Sequence, residues 1–165
     1  MQTNKIKYIS YLFIIVALMA IDQYSKYLIV SIFKLNDSVN IIDGFFRLTY
    51  VQNFGAGFSI MQNETIFFYI ITPICLVLFV YLLLKTKKDD YISKVSLLLI
   101  IGGTLGNFLD RIFRVYVVDF LDFTIFGWNF PIFNIADSFL TIGVILYIIA
   151  ILKEEKHAKA RTVSE

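Results

Sequence analysis

Val95-Ser96-Leu97-Leu98-Leu99-Ile100-Ile101-Gly102-Gly103-Thr104-Leu105-Gly106-Asn107-Phe108-Leu109-Asp110-Arg111-Ile112-Phe113 is a run long enough to cross a bilayer, yet an acid and a base sit near its end. At 1.5 Å of rise per residue it reaches about 28 Å, close to the thickness of a hydrocarbon core. Three further stretches have comparable length and oiliness: residues 8–33, 65–84 and 133–152. The whole 165-residue chain is 58% apolar and only 17% charged, with a mean hydropathy of +0.74. These figures exclude an ordinary soluble domain. The expectation is an all-α membrane protein, residues 1–165 forming one integral-membrane domain with four transmembrane helices.

The basic residues set the expected orientation. Lys5 and Lys7 precede the first run, Lys85, Lys87, Lys88 and Lys94 join the second to the third, and Lys153, Lys156, Lys159 and Arg161 follow the fourth. The opposite connections hold only Lys34, Arg47 and Arg114. Positive charge stays on the cytoplasmic side, so both termini are expected in the cytoplasm and the loops near 34–64 and 114–132 outside. A net charge of +2, with the bases flanking spans, gives no reason to expect nucleic acid as a partner. Ala17-Leu18-Met19-Ala20 lacks the small-x-small spacing of a cleavage site, and the apolar pattern resumes at Tyr27, so the first helix is expected to be retained.

The first outward loop carries Val39-Asn40-Ile41-Ile42, then Asp43-Gly44, then Phe45 to Val51. An Asp-Gly pair between two strand-like runs is a hairpin signal. A small extracytoplasmic β-sheet is therefore expected over about residues 38–60, with Gly55 and Gly57 bending the chain into the second span. The second outward segment, 115–131, holds Tyr116, Phe120, Phe123, Phe126, Trp128 and Phe130. Aromatic rings favour the membrane–water interface, which suggests an interfacial loop or helix serving as an anchoring belt or a lid. Gly102, Gly103 and Gly106 suggest close helix packing.

Ionisable residues interrupt the oily runs at one depth. Asp22 lies 15 residues beyond Lys7 and Asp110 lies 16 beyond Lys94, which places them about 22 and 24 Å up their helices. Asp137 lies four residues past Phe133, about 6 Å below the outer surface. Asp119 sits in the loop above. A charge at a helix centre costs roughly 2.5–3.5 kcal/mol on insertion scales, so the grouping needs a reason. Structural reasons exist. Asp22 and Lys26 are spaced for a helical ion pair, Asp110 and Arg111 could join them in a charge network, and Asn134 could cap the fourth helix. Asp119 and Asp137 have no cation beside them in sequence, Arg114 being the nearest spare.

Elimination narrows the chemistry. The only histidine, His157, falls in the cytoplasmic tail, and the only cysteine, Cys75, falls in mid-span. That excludes a Ser-His or Cys-His nucleophile at the outer layer, a two-histidine zinc motif and an intrachain disulfide. No phosphate-binding or dinucleotide fingerprint is present. Two aspartates remain, and two carboxyls sharing one proton can drive water onto a peptide carbonyl without metal or cofactor. The competing readings are a proton-coupled carrier, which would spread acids through the bilayer depth, and a non-catalytic lipid-binding scaffold.

Five segments carry a resemblance: Asp22-Gln23-Tyr24-Ser25-Lys26, Asn53-Phe54-Gly55-Ala56-Gly57-Phe58, Gly102 through Arg111, Val117-Val118-Asp119-Phe120 and Phe133-Asn134-Ile135-Ala136-Asp137. In that order, over nearly the whole chain, they closely resemble the bacterial lipoprotein signal peptidases (signal peptidase II). The resemblance implies an aspartic endopeptidase of the bacterial cytoplasmic membrane. Its partners would be membrane lipids and diacylglyceryl-modified prolipoproteins, cleaved just before the lipidated cysteine, and the enzyme would act as a monomer with its active site at the outer leaflet. It implies Asp119 and Asp137 as the catalytic pair, Asn53, Gly55, Asn107, Arg111 and Asn134 around the substrate or orienting the aspartates, and Asp22, Lys26 and Asp110 in support. Gly57 and Ser59 depart slightly from the family's commoner Ala and Gly. Asn107 and Asp110 are three apart, as are Asn134 and Asp137, so each pair is expected to share a helical face.

Overall fold

The computed structural model describes residues 2–55 and 65–163. Four helices, α1 (Gln2–Ile32), α2 (Thr65–Lys85), α3 (Tyr91–Arg114) and α4 (Ile135–Val163), and four strands, β1 (Ser38–Ile42), β2 (Phe46–Asn53), β3 (Val117–Ile125) and β4 (Trp128–Asn129), follow in the order α1-β1-β2-α2-α3-β3-β4-α4. Each helix contains a segment long and apolar enough to cross a membrane. The hydrophobic runs therefore become spans, with boundaries a few residues from those expected. Gly57, Ser59 and the end of the motif that begins at Asn53 lie outside the described residues.

Helix α3 is the centre of the bundle, packed against the other three helices. Leu97, Leu98 and Ile101 of α3 form a buried cluster with Leu83 of α2, and Tyr11, Ile15 and Tyr147 of α1 and α4 pack against it. Close approach depends on missing side chains. A Cβ on Gly103 would collide with the Ala136 carbonyl of α4, and one on Gly106 would lie 2.6 Å from the Asp22 carboxylate of α1. Elsewhere the apolar surface faces outward: Phe13 is 74% exposed, Ile66 75% and Val77 71%. In water that surface would be a liability; in lipid it needs no further cover.

The strands form one antiparallel sheet in the order β1-β2-β3-β4. The expected hairpin is present. Phe45 N–H donates to the Ile42 carbonyl at 3.0 Å, and Gly44 takes φ +72° in the turn, where glycine meets no Cβ penalty. The 115–131 segment differs from the expected interfacial loop or helix. Most of it is strand, with β3 paired to β2 along its length, and only its Phe126–Gly127 turn stands fully out, Phe126 being 106% exposed. Val117, Val118 and Ile125 suit the pleat, and a neighbouring strand satisfies the backbone groups that an unpaired loop would leave bare.

A bulge tunes this pairing. Leu48 faces Leu121 but Val51 faces Asp119, so β2 carries one residue more than β3 in that interval. Side chains alternate along a strand, so the extra residue brings Asn53 to the same face as Asp119. The opposite packing unites Ile29 of α1, Tyr50, Val118 and Phe120 in a buried cluster, fixing the sheet on one end of the bundle. Beyond it, Asp122 is 4% exposed and paired with Arg47 at 2.9 Å, while Thr49 donates to it at 2.7 Å.

Candidate active site

The site is built from the first turn of α4. Asp137 N–H donates to Asn134 Oδ1 at 2.9 Å and Asn134 N–H donates to Asp137 Oδ2 at 3.2 Å, a reciprocal capping box. Ala136 N–H donates to Asp22 Oδ1 at 3.0 Å. An anion from α1 thus neutralises the positive end of α4 and fixes its position. Asn134 is a helix cap, as its place in the sequence suggests, and its amide has a second task described below.

Beneath this turn lies a closed ionic network. Lys26 Nζ meets Asp22 at 2.8 Å, Asp110 at 3.0 Å and Asn107 Oδ1 at 2.9 Å. An ammonium has three donors, and each one is used. Lys26, Asp22 and Asp110 are all 0% exposed. The remaining acceptors are also served, since Val118 N–H donates to Asp110 at 3.1 Å and Gln23 reaches both Asp22 and Asp110. Arg114 lies 3.6 Å from Asp110, so it is not a spare cation for the aspartate pair. Arg111 stays out of this network, contrary to one sequence expectation.

Three amides carry order from the network to the two remaining aspartates. Asn107 receives the Lys26 proton on its oxygen, so its Nδ2 is the end that donates to Asp137 Oδ1, at 2.7 Å. Asn134 Nδ2 donates to Asn107 Oδ1 at 3.1 Å and to Asp119 Oδ1 at 2.6 Å. Asn53 Nδ2 donates to Asp119 Oδ2 at 2.9 Å, its own oxygen being held by Gly55 N–H at 2.9 Å. Both carboxylates are gripped by amide donors. Among the described residues none of the ion pairs reaches Asp119 or Asp137.

Both aspartates open on one cavity of about 170 Å³, which is also lined by Asn53, Phe68, Thr72, Thr104, Asn107, Arg111, Val117 and Leu140. Arg111 is held there by the Gly55 carbonyl at 2.7 Å, by the Asn107 carbonyl at 3.2 Å and by the Phe68 ring at 4.6 Å. Its backbone carbonyl accepts a bond from the Tyr69 hydroxyl at 2.5 Å. Burial, followed by the nearby Asp137 charge, pushes the Asp119 carboxyl up to about 7, against the opposing pull of the Asn53 and Asn134 amides. A carboxyl that keeps its proton near neutrality beside an ionised partner can donate while the partner accepts. Among the described residues no three His, Cys, Asp or Glu side chains come together as a metal site.

Every residue singled out from the sequence belongs to this one assembly. Asn53, Gly55, Asn107, Arg111 and Asn134 surround Asp119 and Asp137, and Asp22, Lys26 and Asp110 lie behind them. Sequence reasoning missed five cavity residues, among them Val117, two before Asp119 on β3. Thr104 was legible, because it precedes Asn107 by three and Arg111 by seven and so shares their helical face. Phe68 and Thr72 on α2, and Leu140 one turn past Asp137, carried no signal beyond ordinary hydrophobic spacing.

The sequence pattern described as signal peptidase (SPase) II matches residues 14–153. Lipoprotein signal peptidases of Staphylococcus aureus strains JH9 and Newman are each 46% identical over 142 residues, covering 86% of this chain and 87% of the relative. Two solved bacterial membrane enzyme structures obtained by the in meso method superpose on it. One has a TM-score of 0.84 at 44% identity, covering 90% of both chains. The other has a TM-score of 0.79 at 45% identity, covering 87% of this chain and 93% of its own. A four-helix membrane bundle, a paired-aspartate cavity and these relatives lead to one conclusion: the chain belongs to the signal peptidase II family.

Proposed function

We propose that Asp119 and Asp137 are the catalytic pair of an aspartic endopeptidase acting on diacylglyceryl-modified prolipoproteins. The enzyme removes signal peptides from prolipoproteins. The observation that carries the reading of its site is the shared cavity, in which two carboxylates face one space, braced by amides and, among the described residues, in no salt bridge. The ionised member takes a proton from water as the water oxygen attacks the peptide carbonyl. The protonated member gives its proton to the carbonyl oxygen, forming a diol. Collapse of the diol breaks the C–N bond: a diol hydroxyl returns a proton to the carboxylate that acted as acid, and the departing amine takes a proton from the carboxyl that acted as base. The products are a signal peptide with a new carboxylate and a protein whose lipidated cysteine bears a free α-amine.

Residues 1–165 act as one domain and, in this reading, as a monomer in the bacterial cytoplasmic membrane. Both termini are cytoplasmic and the sheet lies outside, following the bias of basic residues. The active site then opens at the outer leaflet, where acyl chains can remain in lipid while water reaches the aspartates. The carrier alternative finds no support, because the acids meet in one layer rather than along a path.

The test uses purified enzyme in proteoliposomes with a diacylglyceryl-modified precursor and its unmodified twin. Mass spectrometry is expected to find cleavage of the first alone, at the bond before the modified cysteine. Equal cleavage of both, or cleavage elsewhere, would overturn the proposed specificity. The rate should also fall as pH rises through about 7, because Asp119 then loses the proton that the pair must share. A rate still climbing at pH 9 would contradict a one-proton pair.

A further inference from the structure

We propose that Thr72 and Thr104 form a second binding tier in the catalytic cavity, holding the backbone of the signal-peptide segment next to the scissile bond. This rests on the aspartic-peptidase reading above.

The tier follows from helix geometry. Thr104 lies three residues before Asn107 on α3, and Leu140 lies three residues after Asp137 on α4. Those two helices run in opposite directions, so both steps lead the same way, about one turn or 5 Å from the amides and carboxylates into the bundle. Thr72 joins them from α2, four residues along from Phe68, and all of these residues line the same cavity. The upper tier is polar and fully engaged. The lower tier holds two hydroxyls whose capacity is unused.

A threonine inside a helix normally bonds its hydroxyl back to a carbonyl in the preceding turn. The Ser10 hydroxyl inside α1 does the equivalent, donating to the Ile6 carbonyl at 3.0 Å. The Thr72 and Thr104 hydroxyls have no hydrogen-bond partner among the described residues, although both residues line the cavity. Next to Thr72, Pro73 lies inside α2. It removes the N–H that would ordinarily pair with the Tyr69 carbonyl in the same turn. Two hydroxyls without a protein partner among the described residues therefore stand at one level of the cavity wall.

A substrate of this enzyme supplies what they lack. A signal peptide arrives as a helix, and its scissile bond becomes reachable only after nearby turns unwind. Unwinding frees backbone N–H and C=O groups below the cut, within hydrocarbon. A hydroxyl both donates and accepts, so two of them can pair with one freed carbonyl and one freed amide in any sequence. The tier reads backbone and not side chains, which suits an enzyme whose precursors share a lipid but differ in sequence.

Thr72→Val and Thr104→Val keep the shape and remove the hydroxyl, while Thr72→Ser and Thr104→Ser keep the hydroxyl. Steady-state cleavage of a lipidated precursor by each Val variant is expected to show kcat/KM lowered about tenfold, with each Ser variant near wild type. A second measurement uses precursors with an ester in place of one amide among the two residues before the cut. One such ester should slow the wild type and leave at least one Val variant little further impaired. Val variants with wild-type kcat/KM would overturn the inference and leave the aspartate pair untouched. Equal losses in Val and Ser variants, or ester and Val effects that simply multiply at every position, would overturn it as well.

Discussion

Asp119→Asn and Asp137→Asn are each expected to slow precursor cleavage by about 10³-fold or more while leaving the protein folded. On the proposed mechanism each substitution removes a proton donor or acceptor from a pair that works only together, and general acid–base catalysis alone contributes about 10²- to 10⁴-fold. Shape is preserved and the Lys26 network is not touched, so the bundle should stay intact. The local cost is an amide conflict. Asn53 and Asn134 both present Nδ2 donors to Asp119, and an asparagine there can accept from only one of them. Substrate binding, read from the KM of the residual activity or from capture of uncleaved precursor, should change only a few-fold. Retention of more than a tenth of the rate by either variant would remove that aspartate from the mechanism.

Lys26→Met is expected to destabilise the protein by about 3–5 kcal/mol, because it strands the buried Asp22 carboxylate with no ion-pair partner and leaves Asp110 only the more distant Arg114. Its melting temperature in detergent should fall sharply, and much of it should fail to accumulate in the membrane. Replacing the whole triad by neutral residues of similar volume (Asp22→Asn, Lys26→Met and Asp110→Asn together) should recover most of the loss, since a buried ion pair is costly to break but not costly to replace. The recovered triple variant should still cleave poorly. Without the Lys26 proton, Asn107 can turn its oxygen toward Asp137 and repel it. A Lys26→Met protein as stable as wild type would refute the ionic network, and a fully active triple variant would refute its role in orienting Asn107.

These two results bear on different parts of what the sequence made legible. The spans were readable because hydrocarbon demands length and oiliness, and the acids were readable because hydrocarbon penalises charge. The common depth of Asp22, Asp110 and Asp137 followed from counting residues along helices, and hydrogen bonds join them. The division of labour among them was not legible. Asp110 and Arg111 are adjacent in sequence, yet one faces Lys26 and the other faces the cavity, because neighbours on a helix point about 100° apart. Nothing local predicts which partner waits on each side.

The aromatic segment shows a second limit. Phe120, Phe123, Phe126, Trp128 and Phe130 read as a membrane belt because composition dominated the alternation. Val117 to Phe120 are all buried, on both faces of β3, so the alternation that marks a half-exposed strand is absent. The bulge in β2 was likewise invisible, and it is what brings Asn53 to the face of Asp119. Asp122, buried against Arg47 and Thr49, gave no sequence signal separating it from a surface acid.

The central claim is that Asp119 and Asp137 act jointly on one reacting carbon. A crystal structure with a lipidated precursor peptide, its scissile amide replaced by a hydroxyethylene unit, tests this most directly. The hydroxyl is predicted to sit within about 2.5–3.0 Å of both carboxylates, in the place of the tetrahedral oxygen. A hydroxyl that touches one aspartate only, or a peptide seated outside the cavity, would contradict the account.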